Sequence, residues 1–156
     1  MTYVVSPNLS QQESTQFFMG DLKLSLMGLS DEDIHALYHD EQYPMDDGSK
    51  FLAIRKNGEL VAIVKYEYFT KQAINLHFYC LRRMHHTSEP KIIVEELKKY
   101  IKNVLKINKV LLVLPEACAH VIGFAKKIGF EQEAVIKNSY VWRQQIVNLI
   151  IYGIEL

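Results

Sequence analysis

Cysteine is scarce in this sequence, a long hydrophobic run is missing, and the formal net charge is zero. The two cysteines, Cys80 and Cys118, each lie inside an apolar run, so no disulfide framework is expected and a reducing compartment is the default. The longest apolar run, residues 146–154, contains Asn148 and is too short to span a bilayer. No secretory signal is recognisable either. We therefore expect a cytoplasmic protein with no membrane partner.

The sequence does contain enough apolar residues for one folded domain. Hydrophobic residues make up 49% of the 156, which suffices to bury a core without disulfides or metals. No repeat, linker or low-complexity segment divides the chain, so we expect a single domain over residues 1–156. Residues 1–50 carry nine acids and two bases, whereas residues 71–109 carry nine bases and three acids. The acidic part favours a cationic partner and the basic part an anionic one.

Turn and capping residues divide the chain into alternating helices and strands. Ser10 and Glu13 form a capping box, which marks the start of a helix. Asn57-Gly58 fits a two-residue type I′ turn between two strands. The predicted elements are, in order, strand 2–5, helices from Ser10 and from Ser30, strands 51–55, 60–69 and 73–81, a helix opening at 88–90, strand 109–114, a helix ending near Ile128, and strands 131–142 and 146–155.

The register of the hairpin after residue 69 follows from its side chains, because the turn around residues 70–72 lacks glycine. A two-residue loop would place Tyr66 opposite His77 and mix polar and apolar residues on both faces. A three-residue loop places Tyr66 opposite Leu76 and separates the two kinds of residue, so we prefer this register. It gathers the following residues on one polar face: Lys65, Glu67, Asn75, His77 and Tyr79.

The strand, basic loop, helix and strand from Ala73 to Pro115 predict a right-handed crossover between two parallel strands. Ligands of such units tend to bind beyond the carboxyl end of the first strand, so a functional site is expected at residues 82–87. The crossover helix carries an apolar stripe made of Ile92, Ile93, Leu97, Ile101, Val104 and Leu105. The opposite row is expected to face solvent and is made of Lys98, Lys99, Lys102 and Lys106.

The order of these elements resembles the GNAT superfamily of acyl-CoA-dependent N-acyltransferases. The most specific match is Phe124-Ala125-Lys126-Lys127-Ile128-Gly129-Phe130-Glu131, which is similar to the segment that ends the last helix of that fold. Residues 133–135, 143–145 and 147–149 are similar to the terminal hairpin of the branch that acetylates ribosomal proteins. The resemblance implies an α/β (α+β) fold with a mixed, mostly antiparallel sheet of about seven strands and helices on both faces.

The resemblance also implies a function. Acetyl-CoA would be the cosubstrate, and a primary amine of a small molecule or a protein would accept the acetyl group. In the family a general base assists the amine, and backbone N–H groups of the fourth strand stabilise the oxyanion. The candidates on the polar face are Glu67 and His77, with Tyr79 beside them, because a carboxylate or an imidazole can take the ammonium proton near neutral pH. An ordinary hydrogen-bonded cluster on this face is the alternative.

Two departures from the family pattern concern the cosubstrate. Members that bind acetyl-CoA usually carry R/Q-x-x-G-x-G/A before the crossover helix, where backbone N–H groups hold the pyrophosphate. This sequence has no glycine there, and Glu89 and Pro90 add a negative charge and remove a donor. Cys118 stands where the family has an asparagine, and Ala125 where many members have a tyrosine that protonates the departing thiolate. The expected cofactor-binding residues are Leu81, Arg82, Arg83, Met84, His85, His86, Thr87, Ser88 and Cys118.

The missing glycines and tyrosine also fit a second interpretation, a non-catalytic binding or assembly protein with this fold, such as a phage virion or head-assembly protein. No metal is expected, because His77, His85 and His86 lack residues that would complete a site. Nucleic acid is not an expected partner, because the basic loop lacks interleaved aromatic residues. The apolar strand at Leu149–Ile151 could leave a sheet edge, and a homodimer through it is a further expectation.

Overall fold

The computed structural model describes residues 3–10, 12–14, 17, 24–25, 50–84 and 86–156. The predicted helix from Ser30 and most of the helix from Ser10 lie outside these residues. The described elements are β1 (Tyr3–Ser6), β2 (Leu24–Ser25), β3 (Lys50–Lys56), β4 (Glu59–Thr70), β5 (Ala73–Leu81), a 3₁₀ turn (Arg82–Met84), α1 (Glu89–Asn103), β6 (Lys109–Pro115), α2 (Ala119–Lys127), β7 (Glu131–Trp142) and β8 (Gln145–Glu155).

The strands form one mixed sheet in the order β1-β3-β4-β5-β6-β8-β7, and β2 pairs with β5 beside this path. The described pairings are antiparallel except that of β5 with β6, which α1 connects. Side chains on both faces of the central strands are buried. Ile63 and Tyr79 are 0% and 2% exposed on one face, and Val64 and Phe78 are 0% and 9% exposed on the other. The predicted α/β fold with a mixed, mostly antiparallel sheet is confirmed.

Two hairpin turns close within two residues. Asn57 and Gly58 have positive φ angles of 51° and 84°, as a type I′ turn requires. Arg143 and Gln144, between β7 and β8, also have positive φ angles, of 47° and 65°. Turns of this kind match the right-handed twist of the strands that they join, so the chain reverses without disturbing the pairing. The prediction at Asn57-Gly58 is therefore confirmed in both position and turn type.

The capping box at Ser10 is formed. The Glu13 N–H donates to Ser10 Oγ at 3.0 Å, and the Ser10 N–H donates to Glu13 Oε1 at 3.2 Å. Arg55 of β3 donates to Glu13 Oε2 at 2.6 Å. The backbone hydrogen bond from Ser10, followed by the Arg55 guanidinium, holds the pKa of Glu13 below its usual range. The predicted helix start is confirmed, and Arg55 ties it to the sheet.

The β4–β5 hairpin has the register that the separation of its faces predicts. Tyr66 lies opposite Leu76. The neighbouring pairs are Ile63–Tyr79, Lys65–His77 and Glu67–Asn75. The turn is shorter than predicted, since β4 runs to Thr70 and β5 begins at Ala73, and an irregularity in the pairing just before Thr70 makes up the difference. A one-residue slip would have exchanged the polar and apolar faces, so burial selects this register.

Helix α1 buries one stripe of side chains at the spacing of an amphipathic helix. The buried residues are Pro90, Ile93, Val94, Leu97 and Ile101. The predicted stripe is wrong at Ile92 and Val104, which are 42% and 58% exposed. Ile92 lies about half a turn from the centre of the stripe, and Val104 follows the helix end at Asn103. No helix among the described residues is long and apolar enough to cross a membrane.

Helix α2 ends, as predicted, at the glycine that follows Lys127-Ile128. Gly129 has a φ angle of 105°, and the Phe130 N–H donates to Ala125 O at 2.9 Å. A Cβ atom at Gly129 would lie 3.3 Å from Ile154 Cδ1, tighter than ordinary packing. Both the backbone conformation and the space favour glycine here. The segment therefore sets where α2 stops and where β7 enters the sheet.

Candidate active site

Strands β5 and β6 pair over three residues and then diverge. The parallel pairing joins Ala73–Asn75 to Lys109–Leu111. Beyond it, β5 continues along β4 as far as Cys80, whereas β6 continues along β8 as far as Pro115. Strand β2 pairs with Cys80 and Leu81, and because β4 already occupies one edge of β5 at Cys80, β2 lies on the other edge. The carboxyl half of β5 therefore borders an opening in the sheet.

A cavity of about 80 Å³ lies at this divergence, lined by β5, β6, α1 and α2. Most of its lining side chains are apolar, including Leu76, Phe78, Val94, Leu97, Leu112 and Phe124. The polar residues that line it, among the described residues, are His77, Lys98 and Cys118. Its volume equals that of about two or three water molecules in the liquid, so a group as small as acetyl fits. An apolar cavity with few polar groups suits the apolar end of a ligand.

His77 links this cavity to the polar face of the β4–β5 hairpin. Its side chain is 11% exposed, and its Nε2 lies 3.6 Å from Glu67 Oε1, a contact longer than a hydrogen bond. The Glu67 side chain is 38% exposed, and its Oε1 accepts a hydrogen bond from Asn75 Nδ2 at 2.7 Å. The imidazole is nearly buried while its carboxylate neighbour reaches solvent. An imidazole in this position can exchange a proton with solvent beside Glu67.

The structure places the three predicted catalytic residues on one face of the β4–β5 hairpin and gives a contact between two of them, Glu67 and His77. Tyr79 lies on the same face as His77, one pair further along, opposite Ile63. Its side chain is 2% exposed, and Lys65, opposite His77, is 7% exposed. This part of the polar face is therefore largely dry. Electrostatic interactions there are stronger than at a wet surface.

The predicted cofactor loop is closed by its own hydrogen bonds. The Thr87 hydroxyl donates to Met84 O at 2.5 Å, and the Thr87 N–H donates to the same oxygen at 3.2 Å. Thr87 Oγ1 in turn accepts the Glu89 N–H at 3.2 Å. Leu81 and Met84 are 1% and 2% exposed and anchor the loop. His86 is exposed and has a φ angle of 64°, the left-handed conformation that glycine adopts more readily.

The charged and polar residues of this loop are described in part. Arg83 forms an ion pair with Glu59 of β4, and the two side chains are 57% and 54% exposed. Ser88 is the N-cap of α1, is exposed, and makes no side-chain capping hydrogen bond. His85 and the side chain of Arg82 lie outside the described residues. Of the predicted phosphate ligands, Arg83 is thus engaged with a carboxylate of this chain.

A cluster of three polar side chains lies at the start of α1. Glu89, the first residue of the helix, accepts a hydrogen bond from the Tyr3 hydroxyl at 3.0 Å and pairs with Lys56 of β3. The Lys56 hydrogen bond holds the pKa of Glu89 below its usual range, and the same contact raises the pKa of Lys56. Burial, and then Glu89, raises the pKa of Tyr3. The carboxylate is therefore ionised at neutral pH, at the positive end of the helix dipole.

Both cysteines are buried thiols. Cys80 is 0% exposed, and burial raises the pKa of its thiol to about 12, so the reactive thiolate is scarce at neutral pH. Cys118 is 2% exposed and stands at the N-cap of α2. It lines the cavity and also belongs to a second apolar cluster with Val121, Tyr140 and Trp142. The packing of α2 against the β7–β8 hairpin therefore helps to form the cavity wall.

Lys98 is a cavity residue that the sequence pattern does not single out. The pattern predicts that Lys98 lies in the solvent-facing row of α1, but its side chain is only 20% exposed and the residue lines the cavity. Lys98 Nζ donates to Glu95 at 3.0 Å and to Ile128 O at 3.3 Å, after the end of α2. Nothing in the helical period distinguishes Lys98 from its row, because α2 decides its burial. Within the described ranges, no three histidine, cysteine or acidic side chains are grouped to hold a metal.

Solved structures of acetyltransferases share this arrangement of strands and helices. A mutant of the spermidine N-acetyltransferase SpeG from Vibrio cholerae matches with a TM-score of 0.69 at 10% identity, over 98% of this chain and 93% of its own. An acetyltransferase of the GNAT family from Bacillus anthracis matches with a TM-score of 0.58 at 14% identity, over 67% of this chain and 65% of its own. The chain has the GNAT fold.

The GNAT fold is shown here by structure alone. No family model and no curated protein matches the sequence. The chain spans 65% of the length of the Bacillus anthracis protein and 62% of another acetyltransferase that it resembles. In this fold β5 is the strand that precedes the crossover helix, and its neighbour β6 diverges from it beside the cavity. The comparison therefore gives the cavity a place within a known architecture.

Proposed function

We propose that this protein is an N-acetyltransferase, which transfers an acetyl group from acetyl-CoA to a primary amine. The observation that carries the proposal is the position of His77, which lines the cavity and lies 3.6 Å from Glu67. An imidazole beside a carboxylate is well suited to act as a general base. The fold that this chain shares with solved acetyltransferases supports the same activity.

The residues around the cavity would divide the chemistry between them. Acetyl-CoA, when bound, supplies an acyl group activated as a thioester. His77 would accept the proton that the attacking amine loses, and Glu67 would orient the imidazole and stabilise its positive charge. Backbone N–H groups of β5 would stabilise the negative charge on the carbonyl oxygen. Ala125 offers no hydroxyl, so the thiolate would depart without an acid at that position and take its proton from solvent.

The proposed cofactor-binding residues have different tasks. Cys118 lines the cavity and would contact the acyl end of the cosubstrate. Leu81 and Met84 are buried and would act through the loop that they anchor. The remaining residues are proposed to contact the nucleotide end, and they are Arg82, Arg83, His85, His86, Thr87 and Ser88. The apolar cavity fits the acyl end, whereas the loop offers no glycine to cradle the phosphates.

A cationic amine is the proposed acceptor. Residues 1–50 carry nine acids against two bases, and such an excess attracts cations. One of the structural neighbours is named as a spermidine N-acetyltransferase, and spermidine is a cationic amine. Free polyamines and lysine side chains of proteins both belong to this class.

Calorimetry and a transfer assay test the proposal together. Acetyl-CoA should bind with a saturable heat, and spermidine or a lysine-containing peptide should then release one thiol for each amine acetylated. The thiol can be followed with a chromogenic disulfide and the acetylated amine by mass spectrometry. No detectable binding at millimolar acetyl-CoA, with folding verified by circular dichroism, would refute the enzymatic proposal.

A second function is favoured by one observation, the glycine-free loop that ends at Glu89. The chain would then be a binding or assembly protein that keeps the fold without the chemistry. This function predicts no acyl transfer to any amine. It also predicts a protein partner whose capture is unchanged in His77→Ala and Arg82→Ala variants. Loss of transfer in His77→Ala, after transfer has been shown for the unmodified chain, would exclude it.

A further inference from the structure

The start of α1 already holds a negative charge of this chain. Glu89 is ionised, accepts the Tyr3 hydroxyl at 3.0 Å, and is paired with Lys56. The Glu89 side chain is 24% exposed, as is that of Lys56, so the pair is partly shielded from solvent. A phosphate placed near this helix start would meet a carboxylate where a phosphate-binding helix offers only positive charge.

Of the first four residues of α1, two have an engaged backbone N–H and a third has none. The Glu89 N–H donates to Thr87 Oγ1 at 3.2 Å, and Pro90 has no N–H. The Ile92 N–H donates to Ser88 O at 3.4 Å. Phosphate-binding loops hold their ligand with several such N–H groups pointing at one place. Here the loop side chain of Thr87 takes one of these donors, and the helix start does not present a cradle.

The cavity has the opposite character. Among the residues that the structure describes, its lining is apolar apart from His77, Lys98 and Cys118, and it lies at the divergence of β5 and β6. The acetyl group of a thioester can bury apolar surface there, and each buried methyl or methylene group contributes favourably to binding. The free energy available for holding a donor is therefore concentrated at the acyl end.

We propose that this protein recognises the acyl-pantetheine end of its donor and that the nucleotide phosphates of coenzyme A add little to affinity. The inference rests on the proposed function, since it concerns the donor of that reaction. Acyl thioesters of pantetheine that lack the nucleotide would then be donors of the same class as acetyl-CoA. Glu89, held by Lys56 and Tyr3, is the residue that sets this preference.

Calorimetry with two donors tests the proposal on the full chain. Acetyl-CoA and S-acetyl-pantetheine should bind with dissociation constants within about threefold of each other, because no strong contact to the phosphates is proposed. A single charge-assisted hydrogen bond to a phosphate would by itself favour acetyl-CoA by about tenfold or more. Binding of acetyl-CoA should also change little between about 0.05 and 0.5 M salt. Acetyl-CoA binding that is tenfold tighter and weakens steeply with salt would overturn the inference and leave the proposed function standing. Binding of neither donor would overturn both.

A charge substitution at the start of α1 tests the same proposal more sharply. In Glu89→Gln the carboxylate is gone and Lys56 is left to attract phosphate, so affinity for acetyl-CoA should rise about three- to fivefold at low salt. Affinity for S-acetyl-pantetheine should stay the same. Glu96→Gln is the matched control, because Glu96 is on the same helix and pairs with Lys99 at 3.0 Å, away from the helix start. Weaker acetyl-CoA binding in Glu89→Gln, or an equal gain for both donors, would contradict the proposal.

Discussion

The two ends of the proposed donor site differ in what this chain has placed there. At the acyl end, β5 and β6 diverge around an apolar cavity, and His77 connects that cavity to Glu67. At the nucleotide end, the loop before α1 closes on itself through Thr87, and Glu89 occupies the start of the helix. The divergence depends on the whole sheet, whereas the loop depends on a few residues. A fold can therefore keep one half of a site while a short segment changes the other.

The largest expected effect lies at the acyl end. His77→Ala should lower kcat/KM for amine acetylation by about 10²–10³, the usual contribution of a general base. The remaining rate should climb with pH toward the pKa of the free amine, near 10 for a lysine, because the amine then needs no base. Steady-state kinetics from pH 6 to 10 measures both effects.

His120→Ala is the matched control for that substitution. His120 is an exposed residue of the first turn of α2 and does not line the cavity. The kcat/KM of the His120→Ala variant should stay within about twofold of that of the unmodified chain, since most surface substitutions are nearly neutral. Equal activity of His77→Ala and His120→Ala would mean that His77 is not the general base. The acyl end would then differ from the nucleotide end only in its apolar cavity.

A smaller loss is expected at the carboxylate beside the imidazole. Glu67→Gln should lower kcat by about tenfold, because the charge that stabilises the protonated imidazole is removed while the bulk of the side chain stays. Donor affinity, measured separately by calorimetry, should not change. Glu96→Gln provides the control, since Glu96 pairs with Lys99 at 3.0 Å on the surface of α1 and lies outside the proposed site. Equal losses in the two variants would mean that Glu67 has no special role.

The wall of the cavity can be tested through the end of α2. Gly129→Ala should lower the free energy of unfolding by about 1–2 kcal/mol, because a φ angle of 105° strains an alanine and its Cβ would crowd Ile154. Gly123→Ala, inside α2 with open space around its Cβ, should raise it by about 0.5–1 kcal/mol. Urea denaturation measures both values. A loss of stability in Gly129→Ala together with a gain in Gly123→Ala would show that the end of α2, and not the helix as a whole, requires glycine.

The smallest expected effect concerns the nucleotide end at low pH. The pKa of Glu89 is lower in the folded chain than its ordinary value of about 4.5, so its ionised form stabilises the fold above that pH. This contribution is lost as the pH falls through the lowered pKa. Glu89→Gln should therefore lower Tm by about 1–3 °C at pH 7 and make no difference at pH values below that pKa. A Tm difference that is equal at pH 7 and pH 2 would show that packing, and not charge, explains it.

Local features of the fold were predictable because each depends on residues close together in the chain. The capping box joins Ser10 to Glu13, and the type I′ turn needs only Asn57-Gly58. The β4–β5 register follows from separating polar and apolar residues, which places Glu67 and His77 on one face. The predicted burial was wrong along and just after α1: Ile92 and Val104 are exposed, whereas Lys98 is largely covered. Neighbouring elements decide which part of a helix is covered.

The cavity and the charge cluster could not be read from sequence spacing. Glu89 meets Lys56, 33 residues away, and Tyr3, 86 residues away, because α1 packs near the ends of β1 and β3. The cavity exists because β6 stays with β8 while β5 stays with β4. Neither arrangement leaves a periodic signal, since each depends on where separate elements come to rest.

From Lys50 onward the sequence by itself determined the order of the helices and strands, the hairpin register and the end of α2, because backbone conformation and burial of alternate residues act over a few positions. It did not predict β2, which lies where a helix from Ser10 was expected. It also showed that the loop before α1 has no glycine. Only the tertiary structure decided that His77 borders a cavity, that Lys98 lines it, and that Glu89 is held at the helix start. The physical reason is that these contacts join distant segments, and their distances follow from the packing of the whole sheet and its helices.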